Sequence, residues 1–137
     1  MDIRRLTDVA DVLAASALFD GPALPEWAAD FLAAPRHHLL VAYVDGTPAG
    51  MITGVEMTMP DKGTEMFLYE LGVDPAYQRR GIGRALADAL VAIAVEHGCY
   101  GMWVLTDHDN DAALATYRGS GADETEQTTM LTWTFSP

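Results

Sequence analysis

The chain has 137 residues, half of them hydrophobic, with 8 basic and 20 acidic side chains and a formal net charge of −12. That length suits one domain, residues 1–137, around a single core, and that charge argues against nucleic acid or an anionic membrane as the main partner. The lone Cys99 excludes an internal disulfide and a multi-cysteine metal site. No run approaches about eighteen apolar residues, and "MDIRRLTDVADVL" has no signal-peptide pattern, so a soluble cytoplasmic protein is expected.

"DIRRL" reads as a short opening strand. "TDVADVLAASALF" has Thr7 as N-cap and Val9, Val12, Leu13 and Ala17 at helical spacing. "PEWAADFLAAP" follows as a short helix between two prolines. "HHLLVAYV" and "AGMITGVEM" are strands joined through "DGTP", a hairpin signal, and "TEMFLYELGV" is a third long strand. From Gly81 the period changes: Ile82, Leu86, Leu90, Ile93 and His97 mark one face of a long helix that Gly98 ends. "YGMWVLT" is a strand, "NDAALATYRGSG" a helix, and "TTMLTWTF" alternates as a final strand. The order is β-α-α-β-β-β-α-β-α-β, an α/β (α+β) domain on a mixed sheet.

Although the chain is acidic, Arg79, Arg80 and Arg84 gather around Gly81-Ile82-Gly83, where a strand and loop lead into the long helix. Free N–H groups in a first helical turn, uncovered by glycine and flanked by guanidinium groups, suit an anion such as pyrophosphate. The absence of Gly-Lys-Ser/Thr excludes a nucleoside-triphosphate P-loop, and Leu86 stands where the dinucleotide fingerprint requires a small residue. Gln78-Arg79-Arg80-Gly81-Ile82-Gly83 resembles the acyl-CoA pyrophosphate loop of the GNAT superfamily of N-acetyltransferases, Gln/Arg-x-x-Gly-x-Gly/Ala. "NDAALATYRGSG" resembles that superfamily's second motif, Asn-x-x-Ala-x-x-x-Tyr-x-x-x-Gly. The resemblance implies a GNAT fold, with a mostly antiparallel central sheet flanked by helices, and acetyl-CoA as co-substrate.

Acetyl transfer needs a neutral amine, a held carbonyl and a proton for the leaving thiolate. Glu70 is the expected base. Strand alternation would put it on one face with Met66 and Leu68, opposite Glu65, Phe67 and Tyr69, and burial there would raise its pKa. An exposed strand-end glutamate, a structural ion pair or a site that only binds the ammonium are its other readings. Tyr117, on one side of a helix with Asn110 and Ala113, is the expected acid; otherwise it is a core aromatic. The resemblance implies that its hydroxyl lies near the CoA sulfur, that Asn110 touches the pantetheine arm, and that the backbone of Leu71 and Val73 holds that arm and the acetyl carbonyl.

"LFDGP", "LYELGVDPAYQRRGIGRAL", "HGCYGMWV" and "DNDAALATYRGSG" further resemble the gentamicin-type aminoglycoside 3-N-acetyltransferases. That likeness implies the 3-amino group of a 2-deoxystreptamine ring as acceptor, with Asp20, Glu70, Asp107 and Asp109 available to bind ammonium groups. Asp107 and Asp109 stand with Asp111 in "TDHDND", near the presumed acceptor side. The chain departs from that group in having Gly21 where an acid is usual, Glu70 where Asp is common, and fewer residues between Pro22 and Trp27. A polyamine, a peptide amine or protein N-terminus, and a non-catalytic acyl-CoA sensor are the alternatives. Glu26, Asp30 and Glu56 are expected as solvated surface charges and Trp27 as a core contact; His37 and His38 have no partners at metal-ligand spacing along the chain. No metal is expected. The resemblance also implies a homodimer, with Thr128 to Phe135 as a contact.

Overall fold

Alternating side chains on two adjacent strands divide the core. In the computed structural model, which describes residues 1–136, strands β1 (Asp2–Arg5), β2 (His37–Val44), β3 (Thr47–Met59), β4 (Gly63–Val73) and β5 (Gly101–Val104) form one sheet in that order. The first four are antiparallel and β5 runs parallel to β4. Leu39, Val41, Tyr43 and Met51 pack beneath α1 (Val9–Ala14) and α2 (Pro25–Ala33). Their neighbours Leu40, Ala42 and Ile52 face α3 (Ile82–Glu96) on the other side, as the two-residue period of a strand requires. Helix α4 (Asp111–Gly119) packs beside α3. This is the mixed α/β fold expected, in the expected order through α4.

The turn "DGTP" closes the β2–β3 hairpin with Asp45 and Gly46 at φ 49° and 78°, the left-handed pair that matches strand twist. Ile82, Leu86 and Leu90 are buried along α3, joined by Ala87 and Ala94. Each buried leucine contributes about 1.5–3 kcal/mol. Glycine lets this helix press onto β3: a Cβ on Gly50 would lie 3.0 Å from Ile82 Cγ2, and one on Gly54 2.8 Å from Leu90 Cδ1.

Several local expectations are corrected. Asp8, not Thr7, caps α1, its carboxylate accepting from the Ala10 amide at 2.9 Å. "TTMLTWTF" forms no strand: Leu131, Trp133 and Phe135 are 71%, 75% and 83% exposed. Alternation records fitness for a sheet, but a strand needs a ladder partner. Among the described residues β5 pairs with β4 alone, and the tail takes no place beside it.

Glu56 is not a surface charge. It is 9% exposed and accepts from His38 Nε2 at 2.5 Å and His97 Nδ1 at 2.8 Å. Arg5 Nε donates to His38 Nδ1 at 3.3 Å, which leaves the His38 proton on Nε2. Although His38 has no partner at ligand spacing along the chain, its ring nitrogen and those two groups lie within 4.8 Å of one another. With Nδ1 of His38 already engaged and both contacts at hydrogen-bond length, the trio is a polar network that crosses from β2 and β3 to the end of α3.

The β3–β4 ladder corrects the face assigned to Glu70. Thr53 pairs with Glu70 but Gly54 pairs with Leu68, so Tyr69 is an extra residue, a β-bulge. Met66 and Leu68 face α3, whereas Glu70 lies with Leu39 and Thr53 on the α1–α2 side. The bulge therefore breaks the alternation that would have grouped Met66, Leu68 and Glu70.

Candidate active site

Strand β4 outruns its neighbour. Its pairing with β5 ends at Leu68–Val104, so among the described residues no strand lies beside that edge beyond Leu68. Backbone polar groups left there must find other partners. A cavity of about 790 Å³ opens at this splay, bounded by the end of β4, the start of α3 and one side of α4.

The loop entering α3 is built for close approach. Asp74 Oδ1 accepts from the Ala76 amide at 2.8 Å and starts a single turn over Pro75–Tyr77. Gln78 Nε2 then donates to the Val73 carbonyl at 3.3 Å, tying the loop to β4. Arg79 and Gly81 take φ 64° and 79°. For arginine that left-handed state costs about 1–2 kcal/mol; for Gly81 the cost is small. These turns deliver the chain into Ile82, Gly83 and Arg84, whose amides in the first turn lack intrahelical acceptors. A Cβ on Gly83 would project into the gap between β4 and α4, 3.7 Å from Thr116 and 3.8 Å from Leu71 and Val73. Guanidinium groups, bare amides and a slot kept open by glycine fit a diphosphate followed by a thin flexible arm.

Gln78, Arg79, Gly81, Ile82, Gly83 and Arg84 all line the cavity, as do Leu71, Val73, Asn110, Ala113 and Tyr117. Arg80 does not; its guanidinium lies over the Tyr77 ring, 5.3 Å from the centroid. Asn110 caps α4, its side-chain oxygen accepting from the Ala113 amide at 3.1 Å, which holds Ala113 and Tyr117 toward the cavity. Gly119 is a contributor that the sequence reading missed. A Cβ there would lie 2.9 Å from Arg84 Nη1, so its absence lets the Arg84 side chain lie across the end of α4.

Glu70 belongs to this cavity and to a second one. The second, of about 330 Å³, lies under α1 and α2. Asp20 also borders both. Burial, and then the nearby negative charge of Asp20, raise the Glu70 pKa above the ordinary carboxylate value. The Thr53 hydroxyl accepts from the Glu70 amide at 3.0 Å and steadies the bulge. Burial also raises the Tyr117 pKa, keeping its phenol protonated. One boundary thus holds a half-buried carboxylate that binds a proton more readily than usual, and the wall opposite holds a phenol able to give one. Asp107 and Asp109 are exposed and line neither cavity. Trp27, expected in the core, is 67% exposed and borders the smaller cavity.

The acetyltransferase (GNAT) family model matches residues 6–122. N-alpha-acetyltransferase RimI of Mycobacterium tuberculosis is 42% identical over 90 residues, covering 66% of this chain and 54% of that protein. Mycothiol acetyltransferase of Salinispora arenicola is 44% identical over 86 residues, 63% of this chain and 26% of that protein. The chain thus spans about a quarter to about half of these curated relatives. Among solved structures, an aminoglycoside acetyltransferase from an uncultured soil metagenomic sample, in complex with sisomicin, superposes with TM-score 0.89 at 23% identity, covering 98% of this chain and 96% of that one. Aminoglycoside N-acetyltransferase AAC(6')-Iy in complex with CoA gives 0.82 at 20% identity, covering 96% and 98%. At such identities these two likenesses concern the fold.

Proposed function

The chain belongs to the GNAT acetyltransferase family, and from that premise we propose that it transfers the acetyl group of acetyl-CoA to a primary amine, with Glu70 as base and Tyr117 as acid. The observation that carries this reading is the position of Glu70, a carboxylate of raised pKa on the boundary between two cavities. Glu70 takes a proton from the incoming ammonium. The freed nitrogen lone pair attacks the thioester carbonyl, the C–N bond forms, and the C–S bond breaks. The sulfur leaves with a proton from Tyr117; the nitrogen sheds its second proton to solvent as the amide forms, solvent restores the Tyr117 hydroxyl, and Glu70 releases its proton to solvent. Amides at Ile82, Gly83 and Arg84 and the guanidinium groups of Arg79 and Arg84 hold the diphosphate; the open edge of β4 at Leu71 and Val73 holds the pantetheine amides and the carbonyl.

An aminoglycoside acceptor has the support of the net charge of −12 and of the fold neighbours. A peptide or protein N-terminus has that of the sequence relative RimI, an N-alpha-acetyltransferase. For the polycation, Asp20 and Glu70 border the site, whereas Asp107 and Asp109 do not. Release of free CoA thiol over a panel of gentamicin, sisomicin, spermidine, peptides and simple amines tests the activity, and NMR of any aminoglycoside product reads whether the 3-amino group is the one modified. No turnover with any amine, with CoA binding intact, would refute the enzymatic reading in favour of an acyl-CoA sensor.

We also propose a homodimer formed through the C-terminal tail. Leu131, Trp133 and Phe135 are exposed, and among the described residues β5 has a free edge on which a second copy's tail could add as a strand.

A further inference from the structure

We propose that the acceptor is a primary amine borne on a compact apolar body, received by the smaller cavity beneath α1 and α2, so that a monoamine with an aromatic or branched aliphatic group is preferred over a polycation. The inference rests on Glu70 being the group that meets the amine. It starts from the composition of the cavity wall. Val12, Leu24, Phe31 and Leu39 line it with the largely exposed Trp27 at its border, while among the described residues Asp20, Thr53 and Glu70 are its only polar side chains apart from the Trp27 indole.

Charge is available at one end alone. Asp20 and Glu70 both stand where this cavity meets the larger one, so a single ammonium placed there would face two carboxylates. The Thr53 oxygen already accepts the Glu70 amide. Farther in, no lining side chain can answer a second ammonium or a ring of hydroxyls, and a buried polar group without a partner opposes binding. The volume gives the same answer. About 330 Å³ is the liquid volume of roughly eleven water molecules at about 30 Å³ each. That is room for one ring with a short arm; a multi-ring aminoglycoside would have to lie outside. The amine would then enter from the α1–α2 side of the sheet and meet the acetyl group at Glu70, as the bulge at Tyr69 permits.

The experiment separates binding from turnover. Phenethylamine, spermidine and sisomicin are titrated by calorimetry into the full chain with CoA present, and each is assayed as acceptor with acetyl-CoA. We expect phenethylamine to bind, and to react with kcat/KM about tenfold or more above the other two. Ala28→Leu, which fills the cavity from α2, should weaken phenethylamine binding about tenfold while the affinity for CoA holds; Trp27→Ser, at the mouth and free of packing constraints, should weaken it by a smaller factor. Tighter binding or faster turnover of spermidine or sisomicin overturns the proposal. So does phenethylamine binding that neither substitution changes. If phenethylamine binds in the expected order but no amine is acetylated, the apolar cavity stands and the transfer chemistry assigned to Glu70 and Tyr117 falls.

Discussion

At the scale of single residues, Glu70 and its surroundings make two predictions. Glu70→Gln should lower kcat/KM by about a hundredfold or more, since a positioned base contributes at least that much. Burial and then Asp20 raise the carboxyl pKa, so the acid limb of the pH–rate profile should lie above the usual carboxylate range. Asp20→Asn removes a negative charge that favours the protonated form, and the limb should therefore move to lower pH. An unmoved limb would exclude that electrostatic coupling. Tyr117→Phe is the matching test of the acid: burial holds its phenol protonated, and loss of the alkaline limb with slower turnover is expected. The pairing of Arg84 with Gly119 makes a third prediction. Gly119→Val would push the guanidinium aside and should raise KM for acetyl-CoA several-fold, about 1 kcal/mol of binding, with kcat little changed.

At the scale of elements, what was legible depended on how local the signal was. The run from Gln78 to Arg84 stands out because its glycines and guanidinium groups are neighbours along the chain, and the structure puts all of these residues but Arg80 at the cavity. The α3 stripe was equally legible through Ile82, Leu86 and Leu90. The orientation of Glu70 was not, because the extra residue at Tyr69 is defined only by the strand across from it. Nor was the apolar cavity, whose walls come from α1, α2, β2 and β3, far apart in the chain. The seat of α3 provides a stability test. Gly54→Val would force a side chain where Leu90 and Met66 already lie within 3 Å of a Cβ, at a cost of about 1–3 kcal/mol seen as a lowered thermal midpoint.

Across the whole molecule, two features join regions that the sequence keeps apart. His38, Glu56 and His97 come from β2, β3 and the end of α3. Burial, despite the Glu56 hydrogen bond, holds the His38 pKa below its ordinary 6.5. Burial alone would raise Glu56, but the hydrogen bonds from His38 and His97 hold it below its ordinary 4.5. Unfolded, each group takes its proton at the higher, ordinary pH. The unfolded chain therefore binds more protons as pH falls through 6.5 and then 4.5, and the network's contribution to stability is lost on acidification. Relief of repulsion among the 20 acidic residues works the other way. The gap in thermal midpoint between the parent chain and Glu56→Gln isolates the network, and it should close as pH falls. The second feature is the tail. Trp133→Ser with Phe135→Ser should convert a dimer to monomers in sedimentation, whereas an unaltered sedimentation coefficient would remove the tail from the interface.

The bulge at Tyr69 makes the chemistry a matter of parity. A regular ladder along the same sequence would pair Tyr69 with Thr53 and turn the next carboxylate to the coenzyme-helix side, behind the sheet from the amine. That register would also turn Leu71 and Val73 away from the α3 core against which they now pack. One unpaired residue thus lets β4 keep apolar side chains on the coenzyme helix at Leu68 and again at Leu71 while it shows a carboxylate to the other side of the sheet between them.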